Sequence, residues 1–221
     1  MNQLNLITNL HKKTKRNYIE RMLNDKVNCM IEAKKYSKNY WDGNRKYGYG
    51  GYKYIPGRWI SVAKKIIKKY KLDNKSKILD IGCGKGFLLY EIKKILPGID
   101  IYGVDISKYA LKSINKLING KFKYLDLNKK KLPFKSKYFD IVISLACLHN
   151  LEINNLKKII KEINRVGKKS FIMVESYRNE KELFNLQCWA LTCETFFSKK
   201  EWIWFLNENS FKGNYEFIYF E

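Results

Sequence analysis

Residues 78–86 read ILDIGCGKG, and the fold follows from this stretch. The apolar run SKILDIG at 76–82 predicts a buried strand that ends at Asp80. Gly82, Gly84 and Gly86 then make a tight turn, and GFLLYEIKKIL opens a helix that Pro97-Gly98 stops. Glycine at such a turn lets backbone approach a ligand more closely than a Cβ would allow. A dinucleotide-binding turn wants G-x-G-x-x-G, whereas this chain has G-x-G-x-G. A phosphate-loop NTPase is excluded, because Lys85 is not in a G-x-x-x-x-G-K-[ST] frame.

Downstream, strand and helix patterns alternate. DIYGVD is a second strand ending at Asp105, and SKYALKSINKLI a helix with Ser107 as N-cap. KFKYLDL, YFDIVISL and KSFIMVES are strands three to five, with the helix NNLKKIIKEINR before the fifth. EKELFNLQCWALTC and SKKEWIWFLNEN follow as helices, and NYEFIYFE as a last strand. Such a series predicts an α/β, Rossmann-like doubly wound sheet. A ligand cleft then lies at the carboxyl ends of the strands, where Asp80, Asp105 and Asp126 gather around the glycine turn. Each of these acids could also be a cap or a solvated turn residue.

Upstream, Ile19, Met22, Leu23, Val27, Met30 and Ala33 recur at helical spacing and predict one amphipathic helix over 17–36. The polar segment before Tyr18 is expected to fray. Residues 40–59, YWDGNRKYGYGGYKYIPGRW, mix five glycines with seven aromatics. They read as a loop or lid that orders against the main domain or its ligand. A further helix over 60–70 puts Ile60, Ala63, Ile66, Ile67 and Tyr70 on one side.

The formal charge is +23, and residues 1–77 hold 20 Lys or Arg against 5 Asp or Glu. Yet there are 38 Lys and only 6 Arg, and arginine is the residue preferred for bidentate phosphate and base contacts. Compositional bias accounts for most of this charge, so a nucleic-acid partner is disfavoured though not excluded. Five scattered cysteines without C-x-x-C spacing, and two histidines, argue against a structural zinc site and suit a reducing, cytoplasmic setting. No signal-peptide core or membrane-length apolar run is apparent. The oligomeric state is left open.

The stretch 78–175 resembles the class I S-adenosylmethionine (SAM)-dependent methyltransferases. LDIGCGKG is similar to their first motif, which brings Asp80, Gly82, Cys83, Gly84 and Gly86 to the cofactor. Asp105-Ile106 in GVDIS matches the acidic residue that holds the ribose. Asp126-Leu127 resembles the pair that meets the adenine, FDIVIS the fourth-strand motif, and LACLHN, beginning at Leu145, the loop after it. The resemblance implies SAM as cofactor, S-adenosylhomocysteine (SAH) as product, and a seven-stranded sheet whose last strand runs antiparallel. Residues 1–60 would then be an N-terminal helix and lid, and 61–221 the SAM-binding domain. The flanks are similar to bacterial enzymes of small-molecule and surface-glycan biosynthesis.

Transfer from a sulfonium needs alignment and a dry site, and a base only where the acceptor has a proton to lose. His149 is the candidate base, with a structural role in the following turn as the alternative. Tyr49, Tyr52, Tyr54, Arg58, Asn150 and Glu175 are candidate acceptor-binding residues, and Arg58 offers a fork for a carboxylate or phosphate. The expected acceptor is a small, anionic or sugar-like metabolite attacked at O or N. The [DNS]PP[YF] signature of amino-methyltransferases acting on DNA is missing, since the chain has SLACLH there. RNA or protein methylation, a non-catalytic SAM-fold module and a dinucleotide-dependent oxidoreductase are the alternatives.

Overall fold

The computed structural model describes residues 1–114 and 118–221. Six strands form one sheet among the described residues: β1 Lys77–Ile81, β2 Asp100–Asp105, β3 Lys121–Tyr124, β4 Phe139–Leu145, β5 Gly167–Glu175 and β6 Asn214–Ile218. Their order is β3-β2-β1-β4-β5-β6, and every neighbouring pair is parallel. This is the doubly wound order, with its switch point between β1 and β4, where the outward winding reverses.

The helices are α1 Thr8–His11, α2 Tyr18–Leu23, α3 Lys26–Ala33, α4 Lys38–Asp42, α5 Ile60–Tyr70, α6 Phe87–Ile95, α7 Lys108–Lys112, α8 Ile153–Val166, α9 Glu180–Trp189 and α10 Lys199–Glu208. The predicted helix over 107–118 is realised as α7, and its stretch 115–117 lies outside the described residues. Ser107 caps α7 as expected, its Oγ accepting from the Ala110 amide at 3.0 Å. Strand residues alternate between two cores. Leu79, Ile81, Val142, Ile172 and Val174 meet α8 and α10, while Ile78, Ile141, Ile143, Phe171 and Met173 meet α5 and α6. Burial of both faces is what a parallel sheet requires, and it explains the near-continuous apolar strands.

Two expectations are corrected here. The last strand is parallel, and the described sheet has six strands rather than seven. The chain leaves β5 at its carboxyl end, and α9 and α10 return it to the opposite edge, so the next strand must run the same way as β5. A hairpin would have made the next strand antiparallel, but α9 and α10 intervene, and among the described residues the tail beyond α10 holds one strand.

The N-terminus is also not a frayed tail. Leu4 N donates to Tyr215 O and Tyr215 N to Asn2 O, at the outer edge of β6. The buried Glu216 carboxylate accepts from the amides of Leu6, Ile7 and Thr8 and from the Thr8 hydroxyl, at 2.7 to 2.9 Å for the shortest contact of each. The helix expected over 17–36 is broken at Asp25, whose φ is +47°. Of the expected stripe Ile19, Leu23 and Val27 face outward, while Ala33 and Met30 turn inward with Cys29 against Leu191.

Candidate active site

The glycine turn sits at the switch point and takes up left-handed backbone. Gly82 has φ +77° and Gly84 φ +54°, and a Cβ at Gly84 would lie 2.8 Å from the Trp41 ring. The Gly84 amide donates to Asp105 Oδ2 and the Ser107 amide to Asp105 Oδ1, both at 2.7 Å. These amides partly offset the burial that raises the Asp105 carboxyl above its usual range. Asp80 lacks such help. It is buried, its Oδ1 has no hydrogen-bond partner, and burial beside the Asp105 charge pushes it up to about 8.

Two adjoining cavities open along this strand edge. One, of about 230 Å³, is lined by Asp105, Ile106, Asp126, Leu127 and Leu145. The other, of about 380 Å³, is lined by Asp80, Gly82, Cys83, Gly84, Tyr49, Tyr52, Arg58, His149, Asn150 and Glu175. Gly82, Trp41, Tyr49 and Leu145 border both. The structure thus brings together nearly all the residues expected from sequence. Tyr54 is elsewhere: its hydroxyl donates to Glu91 and its ring packs on Tyr90. Gly86 lines neither cavity and serves as the left-handed N-cap of α6. Asp126 lies two residues beyond β3, accepting from the Asn128 amide within its own turn.

The aromatic segment is pinned over the glycine turn. Trp41 Nε1 donates to Ser107 Oγ at 2.8 Å, and Ser107 Oγ donates to Tyr36 O. Asp42 accepts from the buried Lys85 ammonium at 2.7 Å through both oxygens, and from Tyr109 OH at 2.7 Å. Trp41 and Tyr49 stack with centroids 5.2 Å apart, and Tyr52 stacks on Phe87. Order in this segment comes from these tethers to the turn and to α7. Sequence had left Asp42 and Lys85 unpaired, because 43 residues separate them.

His149 is fully enclosed, and burial lowers its imidazole pKa. Its Nδ1 accepts the Glu175 amide at 3.2 Å, which leaves the proton of the neutral ring on Nε2. Nε2 in turn faces Glu175 Oε2 at 3.4 Å. Sequence reasoning missed Arg16, Arg21, Arg45 and Trp189, which also line the larger cavity. The one available signal was arginine itself, scarce in a lysine-rich chain. No cluster of metal-ligating side chains occurs among the described residues, and no described helix is long and apolar enough to cross a membrane.

An α/β sheet of this order, with a glycine turn and strand-end carboxylates at its switch point, defines a Rossmann-like cofactor-binding domain. The chain belongs to a family described as a methyltransferase domain, whose pattern it matches over residues 72–218. It is 32% identical over 92 residues to malonyl-[acyl-carrier protein] O-methyltransferase of Legionella pneumophila, covering 41% of this chain and 32% of that protein. It is 28% identical over 117 residues to phosphoethanolamine N-methyltransferase of Plasmodium falciparum, covering 51% and 42%. The chain therefore spans less than half the length of these curated relatives. Its fold matches the crystal structure of the YcgJ protein from Bacillus subtilis, with TM-score 0.54, 20% identity and 66% of each chain covered.

Proposed function

We propose that this chain transfers a methyl group from SAM to an oxygen or nitrogen of a small anionic metabolite. The observation that carries the reading is Asp80. Its buried, unpartnered carboxylate borders the larger cavity beside the glycine turn. A ligand with an ammonium group draws that unpartnered carboxyl into its ionised form and pairs with it, and SAM carries one. Asp105 is placed for the ribose hydroxyls, and Asp126, Leu127 and Leu145 line the smaller cavity to which the adenine is assigned. When bound, SAM supplies an electrophilic methyl group on a sulfonium.

The protein's own part is positioning and exclusion of water. Trp41 and Tyr49 divide the two cavities and cover the glycine turn, which keeps the reacting region dry. Residues 1–60 act together as the lid. Where the acceptor has a proton to lose, the Glu175 carboxylate on the cavity wall receives it. His149 is the positioning partner, since its Nδ1 lone pair is occupied by the Glu175 amide and its Nε2–H faces that carboxylate. Asn150, Tyr49, Tyr52 and Arg58 complete the acceptor side.

The two relatives differ in acceptor and in attacked atom, so their substrates do not carry over. The anionic preference rests on arginine lining the cavity. Isothermal titration tests the reading. SAM and SAH are expected to bind while NAD does not. Asp105→Ala is expected to weaken SAH by at least about tenfold through loss of charge-assisted hydrogen bonds. Unchanged SAH affinity in that variant would remove the ribose assignment, and absence of SAH binding would sink the proposal.

A further inference from the structure

Four of the six arginines of this lysine-rich chain line the larger cavity: Arg16, Arg21, Arg45 and Arg58. Three of them surround one indole. The guanidinium carbons of Arg16, Arg21 and Arg45 lie 5.5, 4.6 and 5.1 Å from the Trp189 ring centroid. Among the described residues none of the three forms an ion pair with a carboxylate. Their hydrogen bonds go to backbone carbonyls and, from Arg16, to His11 Nδ1. Arg16 Nε is buried with no partner at all.

Such an arrangement is costly for structure alone. Like charges repel, and the half-buried guanidinium groups of Arg16 and Arg21 want an anion. The local field registers the excess: burial and the Arg45 charge lower Arg21 to about 10, and burial and Arg21 lower Lys26 to about 8. His11 cannot relieve it, because burial and Arg16 lower its imidazole to about 4, which keeps it neutral. Glu175 is the acid whose charge favours Arg16, but it lies beyond ion-pair distance and faces His149. Among the described residues no hydrogen bond occupies Arg16 Nε, Arg21 Nη2 or Arg45 Nε and Nη2, so donors remain for an anion.

We propose that Arg16, Arg21 and Arg45, gathered on Trp189, form a subsite for a phosphoryl group of the methyl acceptor. A single carboxylate would neutralise one of three cations. A phosphate monoester or diphosphate answers two or more, and its tetrahedral oxygens accept from several forks at once. The inference rests on the methyl-transfer reading only in calling the ligand the acceptor. The cavity reaches from this cluster to Asp80 and the glycine turn, so one small molecule can touch both.

The test is titration of the whole chain with pyrophosphate, inorganic phosphate and malonate, with and without saturating SAH. Pyrophosphate is expected to bind, phosphate more weakly, and malonate at least about tenfold more weakly than pyrophosphate. Arg45→Gln is the first variant, because Arg45 is exposed and gives a single bond, to Gly48 O. It is expected to weaken pyrophosphate about tenfold with SAH affinity and melting temperature kept, and Arg45→Lys to restore part of the loss. Arg16→Gln, an independent variant, is expected to act alike. Wild-type protein that binds SAH but neither phosphate overturns the subsite, as does equal binding of malonate or indifference to both variants. Pyrophosphate binding that depends on these arginines without SAH binding would keep the subsite and overturn the methyl-transfer reading. A single-stranded RNA oligonucleotide that displaces pyrophosphate at lower concentration than free phosphate does would overturn the small-molecule assignment.

Discussion

Asp80 is where the chemistry of the site can be read through pH. Its carboxyl is raised from an ordinary 3.8 to about 8 by burial and by the Asp105 charge. In the free protein the folded state therefore holds a proton that the unfolded chain releases above about pH 4. Stability falls as pH rises through that window and levels off above about 8. Ligand binding has the opposite sign. An ammonium group prefers the ionised carboxylate, so binding at neutral pH expels a proton. SAH affinity is expected to fall by up to about tenfold for each pH unit below 8. Asp80→Asn is expected to bind weakly and without this slope. Titrations in two buffers of different ionisation enthalpy at pH 7 measure the released proton directly, and no proton release would contradict the pairing.

The lid segment is an element in which tethers do the work that propensity cannot. Five glycines leave 40–59 without regular structure of its own beyond α4 and a 3-10 turn at Arg45–Tyr47. Asp42 joins it to Lys85 in the glycine turn and to Tyr109 on α7. Removing one partner of a buried ion pair costs ~3–5 kcal/mol, because the other charge stays buried. Asp42 is partly exposed, so Asp42→Ala is expected to cost less, about 2 kcal/mol, or roughly 4–8 °C in melting temperature. Hydrogen exchange should quicken across 36–52, and SAH should dissociate faster. The βαβ series was readable because each strand is a short apolar run closed by Asp or Gly, and each helix repeats at 3.6. Asp80, Asp105 and the glycine turn came with it, since the winding places strand ends together. The N-terminal helix misled because its apolar stripe at Ile19, Leu23 and Val27 is not the face that the fold buries. Asp42–Lys85 and the arginine cluster join residues far apart in sequence, and no local pattern announces them.

Viewed from end to end, the molecule ties its first residues to its last strand, and the cavity depends on that tie. Glu216 on β6 gathers the amides of Leu6, Ile7 and Thr8 and the Thr8 hydroxyl. A few residues further on, His11 Nε2 donates to Tyr219 O and packs edge-on against Phe220, while its Nδ1 accepts from Arg16. The path from Glu216 to His11 to Arg16 thus runs from the edge of the sheet to the cavity wall. Glu216→Gln keeps the size of the side chain but turns one acceptor oxygen into a donor facing amide N–H groups. With charge-assisted bonds worth roughly 1.5–3 kcal/mol each and partial rearrangement of the segment, a loss of about 2–3 kcal/mol is expected. The segment 1–16 should become open to limited proteolysis while the sheet stays folded. Because Asp80, Asp105 and the glycine turn lie on β1, β2 and the loop between β1 and α6, SAH binding is expected to survive. Pyrophosphate binding, which needs Arg16 held in place, is expected to weaken severalfold. Loss of both ligands together would mean that the N-terminal tie supports the whole fold rather than the acceptor side alone.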